Sequence, residues 1–371
     1  MKRKMILLAL ASVGLTAMAQ TDNQQQLPVL NETESTSKYI PVTQYWKEHN
    51  IFQHLDVSVS AGTTGIGIDV ASPIGDYVQL RAGYDFMPRF TKNMKFDVML
   101  GDQPARQYDS NGNRIETQFD RLAEMLYDYT GYEVEDHIDM EGTPTMNNFK
   151  LLVDVFPFKN NKHWHFTAGF YWGPSQFAEA VNTTEAMTSL LSLGMYNQMY
   201  AKTEGKDPDK DLVELARMPD PNDPDEPYVY YMTADMIRQF QSYGRMGFSL
   251  GEYAHDVYDK NGNLIHSAGD KYVMEPDDNG MVHVKAKSNA FKPYLGFGYG
   301  GRLLKNRDDW KVSFDAGVWF WGGTADLYVH DGTNLTKDVK NIKGQVGDYV
   351  DIFKAFKVYP CLSVRFTKTI F

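Results

Sequence analysis

Only one cysteine, Cys361, stands in 371 residues, so no intramolecular disulfide is available and stability must come from burial and hydrogen bonding. Long apolar runs are lacking too. Nothing beyond Leu15 approaches the roughly 18 residues of a spanning helix, which excludes a helical membrane protein. Basic charge is in short supply: 37 Lys and Arg against 48 Asp and Glu leave a net charge of -11, and the phosphates of a nucleic acid would be repelled. There is no phosphate-cradling Gly-rich loop and no Cys/His framework, so no cofactor, metal or catalytic constellation is expected. What is plentiful is aromatic: 23 Tyr, 21 Phe and 6 Trp.

Lys2, Arg3 and Lys4 precede an apolar run from Met5 to Leu15, and Ala17-Met18-Ala19 follows with small residues at both recognition positions of a signal peptidase. Residues 1–19 therefore read as a cleavable signal peptide, with the exported chain starting at Gln20 and no cysteine there to be lipidated. Residues 20–54 form a polar periplasmic leader in which only Tyr45, Trp46, Ile51 and Phe52 invite packing.

From Leu55 onward, short stretches alternate strictly between apolar and polar residues. Leu55, Val57 and Val59 stand against Asp56, Ser58 and Ser60, and Ile66, Ile68 and Val70 against Gly65, Gly67 and Asp69. Val78 to Phe86, Phe149 to Val155, His163 to Trp172, Leu295 to Gly300, Trp310 to Phe320 and Val358 to Ile370 repeat the pattern. These runs predict about eight strands, most near the 9–11 residues that cross a bilayer at a tilt. If the first two runs were one bent strand, or if Lys95–Met99, Val273 and Val282–Val284 joined the sheet, the number would change, to ten or more in the second case. The links are unequal. Ser72–Asp76, Phe158–Lys162 and Leu303–Asp309 are short, whereas 89–148, 174–292 and 321–357 are long, the rim asymmetry of a membrane barrel. Phe86, Trp164, Trp172, Tyr294, Trp310, Trp319 and Trp321 fall near strand ends, where headgroup girdles are built.

With these alternations, the signal peptide and the closing strand "CLSVRFTKTIF", the chain resembles the small outer-membrane β-barrel proteins of Gram-negative bacteria, the OmpA-type superfamily. The resemblance implies an all-β, closed, antiparallel up-and-down transmembrane barrel over 55–371, an outer-membrane location with lipid as surroundings, and recognition of the strand ending at Phe371 by the barrel assembly machinery. One departure stands out. Thr369, Thr367 and Arg365 occupy the positions counted back from the terminal aromatic, and the apolar row is Ile370, Phe366, Val364 and Leu362, which puts Phe371 at the rim.

The inward row then carries Asp56, Asp69, Arg81, Asp85, Lys150, Asp154, His163, His165, Lys311, Asp315 and Arg365. An eight-stranded lumen holds side chains and little else, and an unpaired charge there is costly, so these residues are expected to form an ion-pair plug. His163 and His165 face inward near the short-turn rim, with Asp154 expected beside His165; a metal would need further ligands.

The long links carry helical periodicity at Phe119–Tyr129, Ala186–Tyr200 and Tyr349–Phe356. "YDSNGN" and "YDKNGN" read as hairpin turns and "PDPNDPDEP" as a solvated loop tip. Loops this long are rarely retained without use. The expected role is a structural or surface-interaction barrel whose extracellular loops bind a partner or ligand. Solute transport through a larger barrel is the first alternative, and a barrel enzyme acting on lipid or peptide the second.

Overall fold

A computed structural model describes residues 41–158, 161–220 and 227–371. The expected signal peptide, its cleavage site, the leader up to Ile40 and most of the Pro219–Pro227 tip lie outside the described residues. The chain divides after Gln44. The first unit contributes Pro41–Gln44, the opening turn of helix α1 (Val42–Glu48); the rest belongs to the second unit, Tyr45–Phe371.

Among the described residues eight strands close into an antiparallel barrel: β1 (Asp56–Gly62), β2 (Gly65–Pro73), β3 (Val78–Phe86), β4 (Asn147–Val155), β5 (Trp164–Trp172), β6 (Phe291–Leu304), β7 (Arg307–Phe320) and β8 (Val358–Thr369). Each pairs with its sequence neighbour, and β1 closes on β8 from Asp56↔Thr369 to Gly62↔Ser363. The cause is the two-residue alternation, because successive side chains of a strand point to opposite faces. Here the sorting is the reverse of that in a soluble protein. Val59, Ile68, Phe166, Phe297 and Phe366 are exposed on the outside, as is Phe314 at 62%, while Asp69, Lys150 and Asp154 are buried inside, Asp154 at 0%. An apolar exterior around a charged interior suits lipid as the surrounding solvent.

The two rims differ as the link lengths predict. Ile74–Tyr77, 156–163 and Lys305–Asn306 join strands on one rim, and 87–146, 173–290 and 321–357 on the other. The long-loop rim also carries a two-residue turn, Thr63–Thr64, so the first two alternating runs form a hairpin rather than one bent strand. Gly65 permits it: its φ is +99°, and a Cβ there would lie 2.2 Å from the Phe86 carbonyl oxygen.

The long links are not free loops. They fold into a cap of sheets and helices with its own apolar core. One five-stranded sheet takes Lys92–Asp97 and His137–Pro144 from the first link, Gln176–Asn182 and His283–Lys287 from the second, and Asp326–Val329 from the third. A second sheet joins Lys271–Met274, Met246–Tyr253, Met99–Leu100 and Gln103–Pro104, with Val339–Lys340 pairing alongside. The candidate extra strands around Lys95–Met99, Val273 and Val282–Val284 are thus strands of the cap and not of the barrel.

Helices α2 (Gln118–Thr130), α3 (Met187–Thr203) and α5 (Gly344–Ala355) match the helical periodicities, and α4 (Ala234–Tyr243) adds one more. Thr117 caps α2 through a capping box with Asp120. Val98, Ile138, Leu190, Leu193, Met246 and Val282 are fully buried between sheets and helices. The two "YD-NGN" segments are the expected hairpins: Asp109 Oδ1 accepts from the backbone N–H of Asn111 and Asn113, and Asp259 does the same with Asn261 and Asn263.

Candidate functional site

The lumen is filled in three levels. At the short-turn rim it opens as a vestibule of ≈ 750 Å³. Asp56 is buried here, accepting from Gln79 Nε2 at 2.9 Å and from Thr369 Oγ1 at 2.5 Å, with Lys311 Nζ 3.8 Å away. Lys311 and His163 remain exposed at this rim, His163 Nδ1 lying 2.5 Å from the Gly300 carbonyl oxygen. Of the predicted inward residues, Asp56, His163 and Lys311 belong to the vestibule rather than to the plug.

The middle level is the ion network. Arg81 Nη2 donates to Asp154 Oδ1 at 2.9 Å, and Thr167 Oγ1 donates to the same oxygen at 2.6 Å. Arg365 bonds Asp315 through Nε at 3.2 Å and reaches Asp154 Oδ2 at 3.8 Å. Lys150 Nζ stands between two carboxylates, 2.6 Å from Asp85 and 2.7 Å from Asp69, and Thr64 Oγ1 completes Asp85 at 2.8 Å. All of these charged groups are buried. The free space left among Arg81, Asp85, Lys150 and Tyr171 is ≈ 10 Å³, room for about one water.

One expected pairing is corrected. His165 bonds Asp315, Nε2 to Oδ1 at 2.7 Å, and not Asp154. Register explains it. His165 lies opposite Gly298, and Gly298 opposite Asp315, so the missing side chain on β6 lets β5 and β7 join across it. A Cβ at Gly298 would sit 2.3 Å from the imidazole and 2.5 Å from Asp315 Oδ1. Asp154 instead lies opposite Thr167. The two imidazoles therefore have separate partners, and among the described residues no group of three His, Cys, Asp or Glu side chains could hold a metal.

At the top, sequence reasoning missed Lys292. It is 1% exposed, with Nζ 3.2 Å from Asn148 Oδ1 and about 6.0 Å from the centre of the Trp319 ring. Its signal was its parity, since it precedes the inward row Tyr294, Gly296 and Gly298 by two. Trp319, Trp321 and Tyr294 are corrected as well: all three are buried and form no girdle. They belong to a column of rings in which Tyr294 meets Tyr171 at 5.4 Å, Tyr171 meets Trp319 at 4.8 Å, Trp319 meets Tyr359 at 5.1 Å and Tyr359 meets Trp321 at 5.5 Å. Trp321 stacks on Phe177 of the cap at 5.1 Å. The column closes the barrel mouth and joins it to the cap core as one apolar cluster. Phe86, Trp164 and Trp172 do stand exposed at strand ends.

The cap holds its own ion cluster outside the membrane-spanning strands. Arg106 grips Asp136 with two donors, at 2.5 and 3.1 Å, while Arg114 lies 2.9 Å and His137 2.8 Å from the same carboxylate. Hydrogen bonds from Arg106 first, with His137 and the nearby guanidinium charges adding to them, outweigh partial burial and hold Asp136 down at about 2.

A closed antiparallel barrel, apolar outside and packed with paired charges inside, is the construction of a membrane-spanning β-barrel. No protein-family model matches the chain, and no curated protein matches it. Among solved structures it is similar to Acinetobacter baumannii CarO2, at 11% identity and a TM-score of 0.34, covering 86% of this chain and 99% of that one. Acinetobacter baumannii CarO follows at 13% and 0.33, covering 84% and 96%. A major outer membrane protein from Thermus thermophilus stands at 12% and 0.24, covering 85% and 98%. The class assigned here rests on the barrel's own geometry.

Proposed function

We propose that the chain is a non-enzymatic, OmpA-type barrel of the outer membrane that anchors its cap at the cell surface, where the cap binds an extracellular partner or ligand. Eight strands are the number of the small barrels of that type. The observation that carries the reading is the shared core: the ring column runs unbroken from the lumen into the cap, so the barrel presents a rigid platform rather than mobile loops. Lipid surrounds the apolar belt, and β8 is the strand the assembly machinery would read. Three cap histidines have separate neighbours, which favours a non-catalytic reading: His255 beside Asp338 at 3.5 Å, His266 stacked on Tyr253 at 4.6 Å, and His137 held in the Asp136 ion cluster at 2.8 Å.

The refolded protein is expected to be β-rich by circular dichroism, to shift on a gel when boiled, and to stay silent in planar bilayers. On intact cells the cap is expected to be cleaved by added protease. Stepwise conductance would favour the transport reading, and a cap shielded from protease would overturn surface presentation.

A further inference from the structure

The short-turn rim carries an apolar feature that the barrel itself does not need. After α1 the chain turns through Asn50 and Phe52, both with positive φ, at 53° and 54°. A bulky residue such as Phe rarely adopts that conformation. The turn is held by backbone bonds to the barrel: Phe52 N–H donates to the Pro73 carbonyl at 2.9 Å, Gly75 N–H to the Asn50 carbonyl at 3.2 Å, and Ile51 bridges Ile74. Trp46 is tied in by Ile51 N–H donating to its carbonyl at 2.8 Å, and its ring meets Phe52 edge-on at 6.0 Å.

This fixed turn buries neither ring. Tyr45, Trp46 and Phe52 are exposed, Phe52 at 50%. Beside them Ile74 is exposed too, and it continues the outward row Ile66, Ile68 and Val70 of β2. The patch thus lies at the edge of the barrel's apolar belt, with one outward position, Ser72, between it and Val70, at the level where Trp and Tyr prefer the headgroup region. Water has no use for a strained backbone that holds an apolar ring outward; a lipid surface does.

We infer that Tyr45, Trp46 and Phe52 form an interfacial anchor that inserts into the phospholipid leaflet at the short-turn rim, the Tyr and Trp rings among the headgroups and Phe52 against the acyl boundary. The inference rests on the membrane reading of the barrel. It is tested with the full exported chain, Cys361→Ser, refolded into phosphatidylcholine–phosphatidylglycerol vesicles and carrying a nitroxide on Trp46→Cys, on Phe52→Cys, on the belt position Phe297→Cys or on the cap hairpin position Asn111→Cys.

Collisional relaxation by oxygen should exceed that by a water-soluble nickel chelate several-fold at 46, 52 and 297, with the reverse at 111. Nickel access at 46 and 52 equal to that at 111, with 297 still oxygen-dominated, would overturn the anchor and leave the barrel reading intact. Nickel access at 297 as well would overturn both. A boiling-dependent gel shift confirms that each labelled variant is folded.

Discussion

Trp319 of β7 and Tyr359 of β8 are register partners whose rings stack at 5.1 Å with an interplanar angle of 26°. The pair sits where lumen and cap meet, and the Tyr359 hydroxyl donates to the Thr63 carbonyl of the β1–β2 turn at 2.7 Å. Trp319→Ala leaves an indole-sized hole there and should destabilise the protein by about 3–5 kcal/mol. Urea unfolding in detergent measures it, and limited proteolysis should show new cleavage at Gly322–Gly323, where the third link leaves the barrel.

Lys150 contacts two buried carboxylates at once. Replacing it with Met strands Asp69 and Asp85 together, so the single variant should lose about 3–5 kcal/mol. The triple variant Lys150→Met, Asp69→Asn, Asp85→Asn should recover much of that loss. A triple variant no more stable than the single one would show that the charges are not what the network balances.

Gly298→Ala tests the gap through which His165 reaches Asp315. The added methyl must displace one of them, a loss of about 1–3 kcal/mol by overpacking. The imidazole resonance of His165 should shift in the variant while that of His163 stays in place, since His163 bonds the Gly300 carbonyl.

Asp136 gives the cap an acid-sensitive joint. Its folded-state pKa is depressed to about 2 from an ordinary 3.8, so its stabilising contribution is fully present above about pH 4 and is lost as pH falls toward 2. Proteolysis by an acid-active protease between pH 5 and 2 should show the segment around Arg106 and Arg114 loosening first. Asp136→Asn should remove that pH dependence.

The barrel was legible because its signal is local: alternation within each strand needs no partner to be read. The lumen residues followed from parity, which is why Asp69, Arg81, Asp85, Lys150, Asp154, His165, Asp315 and Arg365 are all found buried inside. Which of them pair was not legible, because pairing across the lumen depends on inter-strand register and on gaps such as Gly298. The cap sheets escaped for a related reason. Strands as short as Met99–Leu100 or Val339–Lys340 carry no period of their own, and each joins its sheet through the strand Met246–Tyr253 of another link. Helix α4 was readable in principle, from the Thr233 cap and the apolar positions Met236, Ile237 and Phe240.

The weaving of the cap also orders events in time. Its two sheets receive the strands Asp326–Val329 and Val339–Lys340 from the third link, which lies between β7 and β8. Neither sheet can be completed by the first two links alone, and contacts of such sequence separation form slowly. The two sheets are completed only once the third link has been delivered, and a chain stalled before Asp326 would leave His283–Lys287 of the first sheet and Glu252 and Tyr253 of the second without those partners.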